Sequence, residues 1–205
     1  MIQIALGIYG AGLVLAFGYR SFAQYARTGS TGWAGIRRDA SVVERIAAGL
    51  FVVALLAGIA GLVLAASSVG PVAEPPKTVA VVGLAVEAAG LVVLIVAQDG
   101  MGDAWRIGVD PDEHTDLVTS GLFGLVRNPI FTAMVAAQAG AVIVAPNVVG
   151  VAALAALVVA VQLQVRIVEE PYLQRTHPMY AAYASRVGRF VPGIGRLPST
   201  QPTGR

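Results

Sequence analysis

Residues Arg127 to Glu170 read RNPIFTAMVAAQAGAVIVAPNVVGVAALAALVVAVQLQVRIVEE. From Ile130 to Val165 the stretch is almost wholly apolar and is broken at Pro146-Asn147. A polar cluster stands at each end: Arg127-Asn128-Pro129 before it, Arg166 and Glu169-Glu170 after it. A tight turn at the break makes two antiparallel membrane-crossing helices, and both polar clusters then return to one membrane face. Residues about forty apart in sequence would share one site.

Composition puts this hairpin in a membrane. The chain of 205 residues is 56% hydrophobic and 13% charged, against roughly 25% charged residues in a soluble domain. Its mean hydropathy is +0.72. The absence of cysteine excludes disulfides, thiolate metal sites and thiol nucleophiles. Two histidines, His114 and His177, do not build a typical zinc site, so no metal centre is expected.

A membrane span needs about 20 mostly apolar residues. Ile2 to Phe22, Val42 to Val69 and Thr78 to Ala97 satisfy this, and the hairpin arms Ile130 to Ala145 and Asn147 to Val165 are shorter, which leaves a single re-entrant hairpin open beside the preferred two spans. The second arm can continue as helix through Glu170. The first segment lacks a basic start and a small-residue cleavage site, so it reads as a retained helix. Ala54, Ala57, Gly58 and Gly61 give the second segment a small-residue face for close packing. The expected fold is an all-α integral membrane protein of about five transmembrane helices.

Charge sets the expected orientation. Arginines flank the first and third connections and fill the C-terminal region, and of the 14 basic residues Lys77 alone falls on the other side. The positive-inside rule then puts the N-terminus outside and the C-terminus in the cytoplasm of a cell with this protein in its inner membrane. The third connection, Gln98 to Asn128, is acidic and carries Trp105-Arg106 among glycines, the signature of an ordered loop near the interface. Arg166 and Glu170, four apart, can pair on a regular helix. Tyr172, Tyr180, Tyr183, Arg186 and Arg189 follow as a membrane-interface tail.

Two motifs bracket the hairpin. Leu117-Val118-Thr119-Ser120-Gly121, Phe123 and Arg127-Asn128-Pro129-Ile130-Phe131 resemble the Arg-His-Pro-x-Tyr region of the isoprenylcysteine carboxyl methyltransferase family. Glu169-Glu170, Leu173, Tyr180, Tyr183, Val187 and Pro192 resemble its C-terminal pattern. The resemblance covers about Met101 to Pro192, nearly half the chain. It implies a membrane-embedded methyltransferase that uses S-adenosylmethionine on a lipophilic acceptor, with the cofactor site facing the cytosol. Carried over residue by residue, Thr115, Asp116, Leu117, Val118, Phe123, Asn128, Pro129, Ile130, Phe131 and Glu170 would line the cofactor. Arg127, Arg166 and Glu169 would serve the substrate. The chain then divides into an N-terminal three-helix region, 1–98, a catalytic region with the C-terminal helical hairpin, 99–192, and a flexible tail, 193–205. The implied partners are the bilayer and a lipid or lipophilic small molecule, with no nucleic acid, and oligomeric state stays open.

The chemistry suits these residue types. A methyl group on a sulfonium is already activated, so the protein has to position the reactants and exclude water. A carboxylate acceptor is its own nucleophile, oriented by arginine. An amine acceptor needs a proton acceptor, for which Glu169 or Glu170 stands ready. This sequence departs from the family pattern where Asn128 replaces histidine, which removes a titrating group, and where Phe123 and Phe131 replace tyrosines. Thr176-His177-Pro178 replaces a Phe-Gly pair, and His177 reads as an interface residue.

Glu87 lies in the middle of the third span, where a charged carboxylate costs about 2.5 kcal/mol or more. It either borders a substrate path or is protonated and bonded to a neighbouring helix. Two other functions stay open on sequence: an NADPH-dependent reductase of related membrane fold, with Arg186 and Arg189 for the ribose phosphate, and a non-catalytic lipid-binding protein.

Overall fold

The computed structural model describes residues 1–33, 35, 40–67, 69–105 and 116–198, and every regular element among them is helical. Among the described residues four helices are long and apolar enough to cross a membrane: α1 Ile2–Thr28, α2 Val42–Ala66, α3 Lys77–Gly100 and α5 Val148–Thr176. Between the last two lies the shorter apolar helix α4, Pro129–Val144, of 16 residues. That is about 24 Å at 1.5 Å per residue, just under the hydrocarbon thickness. A short helix α6, Tyr180–Arg186, follows.

Local chemistry sets the ends. Ser41 accepts a hydrogen bond from the Glu44 amide at 3.2 Å, and Glu44 lies in the first turn of α2, a capping-box arrangement. α1 ends at Gly29, whose φ of 76° needs a glycine. Pro129 opens α4 at a position where its missing N–H costs nothing. At the hairpin break Asn147 accepts from the Gly150 amide at 2.9 Å and donates to Gly61 O at 3.3 Å, so one side chain caps α5 and ties it to α2. Asn147→Ala is expected to cost about 1–2 kcal/mol, seen as a lower melting temperature in detergent.

The hairpin arms separate more than an antiparallel pair would. α4 packs chiefly on α3 and α5 chiefly on α2, with less contact between α4 and α5. Small residues are the cause. A Cβ on Gly90 would stand 2.7 Å from Ala137 N, and one on Gly61 would stand 2.9 Å from Gly150 N, so backbones meet directly at both crossings. The polarity is that of a membrane protein: Val52, Val53, Leu56, Val81, Val82, Val92 and Val96 are exposed, and an apolar exterior of this extent needs lipid around it.

α5 continues well past Val165, through Glu170 to Thr176, by way of a π-helical segment, Gln164–Glu169. Pro171 accounts for that segment. It has no N–H, and its ring would press on the Ile167 carbonyl in a regular helix, so the helix widens into i→i+5 bonding. The extra residue per turn changes which side chains face inward just before the polar cluster. The buried side facing α2 and α4 here carries Val165 and Glu170, while Arg166 and Ile167 are exposed.

Candidate active site

Arg127 and Glu170, 43 positions apart, meet at the ends of α4 and α5, as the two returning polar clusters require. Glu170 Oε1 accepts from Arg127 Nη2 and, at 2.7 Å, from Arg189 Nε. Oε2 accepts from Arg189 Nη2 at 2.8 Å. Arg189 therefore grips the carboxylate bidentately while Arg127 closes it from the other side. These bonds hold the Arg189 guanidinium above its ordinary pKa, so it stays charged. Arg127 also donates to the backbone: Nη1 to Ala184 O at 3.0 Å and Val187 O at 2.6 Å, Nη2 to Gly195 O at 3.1 Å, while its buried Nε has no partner among the described residues.

The C-terminal segment is drawn onto the start of α4 by the same residues. The amides of Arg127 and Asn128 donate to Gly188 O at 2.8 Å and Arg189 O at 3.1 Å, and Asn128 Nδ2 also donates to Arg189 O. Thr132 Oγ1 donates to Phe190 O at 3.0 Å. The chain can fold this tightly because residue 188 is glycine: a Cβ there would collide with the Val191 carbonyl. Tyr183 Oη donates to Phe123 O at 2.6 Å, and Tyr180 packs edge-on against Tyr183 with Leu117 beside them. Burial pushes both tyrosine hydroxyls up to about 12, so they remain protonated donors.

The expected site residues divide into groups. Phe123, Arg127, Pro129 and Glu170 are buried at the cluster, with Leu117, Val118, Asn128, Ile130 and Phe131 partly buried around it. Phe131 stacks edge-on against Phe51, 6.1 Å between centroids. Asp116 is exposed, and Thr115 lies outside the described residues, as do Arg106 and His114. Glu169 accepts from Gln164 Nε2 at 3.2 Å. The pairing of Arg166 with Glu170 does not form: Arg166 is exposed, and Glu170 is taken by Arg127 and Arg189. The π-helical turn is the reason, because the i,i+4 rule holds only for regular α geometry.

Sequence reasoning gave Arg189 a different part, as a contact for a ribose phosphate. Its role as the second clamp on Glu170 depends on the turn at Gly188, and the run Gly188-Arg189-Phe190-Val191-Pro192-Gly193 was the available signal for that turn. Within the stretch expected to be a flexible tail, Ile194 O accepts from Arg189 N at 2.8 Å and Leu197 N donates to Ala184 O at 3.0 Å. Truncation after Leu197 keeps all of these bonds and should leave the melting temperature unchanged. Truncation after Pro192 removes the acceptors on Ile194 and Gly195 and should lower it by several degrees.

No curated protein and no solved structure matches the chain. The model of the phospholipid methyltransferase family matches residues 78–180, from the start of α3 to the start of α6. The match contains the Asn128–Phe131 turn, Arg127 and Glu170, whereas Arg189 lies beyond it. Spanning half of the sequence and both ends of the hairpin, it establishes that the chain belongs to the phospholipid methyltransferase family.

Proposed function

We propose that this membrane methyltransferase moves a methyl group from S-adenosylmethionine to a lipophilic acceptor, and that the cluster around Glu170 anchors the cofactor at the cytoplasmic membrane face. The observation that carries the reading is the triple arrangement of Arg127, Glu170 and Arg189 against the first turn of α4. Two guanidiniums against one carboxylate leave net positive charge. The first-turn amides of Ile130 and Phe131 add the positive end of a helix dipole beside it. Together these suit the carboxylate of an amino-acid group.

The residues present fit such a cofactor. Arg189 is 13% exposed at its side chain and reachable. Asn128 makes no side-chain capping bond to α4, which leaves its carbonyl oxygen for a ligand. Leu117, Val118, Phe123 and Phe131 offer apolar surface for a purine, with the exposed Asp116 next to Leu117. When bound, S-adenosylmethionine supplies a methyl group already activated on a sulfonium. Arg127, committed to Glu170 and three backbone carbonyls, holds the site together. Arg166, exposed on the π-helical segment of α5, orients an acidic acceptor such as a carboxylate from the lipid side. Glu169 takes the proton if the acceptor is an amine.

In this reading α4 counts as a fifth span, the N-terminus lies outside, and residues 1–98 form the membrane scaffold for a catalytic region, 99–192. Membranes containing the protein, given S-adenosylmethionine labelled in its methyl group and a panel of lipids, isoprenoid acids and lipophilic amines, should pass label into the organic extract above the level of Glu170→Ala membranes. Label confined to the aqueous phase with every acceptor class would count against the proposal.

A further inference from the structure

Glu87 and Gln138 are buried polar residues in the middle of α3 and α4, 1% and 2% exposed. Neither carboxyl oxygen of Glu87 has a hydrogen-bond partner among the described residues, nor does Gln138 Nε2. Gln138 Oε1 meets Tyr9 Oη at 3.0 Å, a hydroxyl that also reaches Leu55 O at 3.2 Å, so one end of the amide is engaged and the Nε2 end is left over. The bond to a neighbouring helix that one reading of Glu87 requires is therefore not made. Glu87 and Gln138 line a common crevice of about 40 Å³ between α1, α2, α3 and α4. A buried donor and a buried acceptor left unmet are each destabilising.

The geometry points to a second ligand site, in which this crevice binds the hydroxyl group of a lipophilic alcohol between the Glu87 carboxyl and the Gln138 amide. The group that belongs there must accept from Gln138 Nε2 and donate to a Glu87 oxygen. A hydroxyl does both, while an ammonium has no lone pair for the amide. Apart from Tyr9, whose hydroxyl is already engaged with Gln138 and Leu55 O, the rest of the lining, including Leu13, Phe17, Leu91, Leu94 and Met134, is apolar. Water could bridge the two polar groups, but a crevice this size exceeds one water, and further waters would lack the two to four polar partners they need. One hydroxyl on an apolar chain satisfies both parts of the lining. Ile8, Gly12 and Leu91, each partly exposed, stand at the α1–α3 seam, where such a chain would enter from lipid. The site stands independently of methyl transfer.

The test is binding of tritiated 1-dodecanol to the full-length protein in detergent, with dodecane as competitor, together with infrared measurement of the Glu87 carboxyl stretch, identified by its loss in Glu87→Gln. Glu87→Leu replaces an unmet buried carboxyl with an apolar side chain and should keep the fold. Saturable binding is expected in the wild type, at least tenfold weaker in Glu87→Leu, poorly displaced by dodecane, with the carboxyl stretch moved to lower frequency by the alcohol. Equal affinity in folded Glu87→Leu, or equal displacement by dodecane, overturns the assignment. A carboxyl stretch already hydrogen-bonded, shifted by heavy water and unmoved by dodecanol, gives the bridge to water and also overturns it.

Discussion

Glu170→Ala should destabilise the protein by about 3 kcal/mol, because it strands the buried guanidinium of Arg127 and frees the partly buried one of Arg189, rather than removing one surface pair. The side chains of Arg127 and Glu170 are 1% and 6% exposed, so neither is well screened by solvent. The loss reaches past the carboxylate. Arg127, no longer held, is expected to loosen its bonds to Ala184, Val187 and Gly195, and with them the contact between the C-terminal segment and α4. In detergent the melting temperature should fall on the order of 10 °C, and proteolysis should cut near residues 186–196 first. Glu170→Gln, which keeps one acceptor oxygen and sets an NH₂ group against a guanidinium, should recover only a minor part. A change of melting temperature under 2 °C in Glu170→Ala, roughly the size of a surface substitution, would mean the cluster does not hold the tail.

Gly140→Ala is expected to be among the most damaging single-methyl changes in the chain. Its Cβ would stand 2.6 Å from Gly83 O and 2.8 Å from Glu87 Cα, and would also meet the Glu87 amide nitrogen. All of these are backbone atoms, which cannot rotate aside, so α3 and α4 must part along the most extensive helix pair in the fold. Overpacking of this kind costs typically about 1–3 kcal/mol, and Gly140→Leu should prevent recovery of folded protein. Gly49→Ala is the control: nothing lies within 4 Å of that added methyl. Thermal unfolding of the two alanine variants should separate them clearly. If both melt like the wild type, the α3–α4 crossing is looser than described.

Four of the spans and the return of the two polar clusters to one place were legible because they follow from apolar length and from the turn at Pro146-Asn147, whereas the pairing of Arg127 with Glu170 was not. Continuation of the second hairpin arm through Glu170 was legible for the same reason. The failed Arg166–Glu170 pair shows where pattern reading ends. Four-residue spacing brings side chains together only on a regular helix, and Pro171 forces a π turn at that point. Arg189 was harder still, since its approach to Glu170 depends on a backbone turn that only glycine at 188 permits. The separation of the hairpin arms was hidden as well. Gly61, Gly90 and Gly140 make other helix pairs closer than the sequential pair, and the partner of a small-residue face cannot be read from that face alone. Glu87 was recognisable as costly from its position, but its unmet oxygens became visible only with α4 in place.

The central claim is that the Arg127–Glu170–Arg189 cluster anchors an adenosyl cofactor. Calorimetric titration of purified protein in detergent with S-adenosylmethionine and its demethylated product, with NADPH as comparison, tests it most directly. The account predicts that both adenosyl ligands bind the wild type, that NADPH does not, and that Arg189→Lys, folded but unable to grip Glu170 bidentately, binds them at least tenfold more weakly. Binding of NADPH alone, or of neither ligand class to protein shown to be folded, would contradict it.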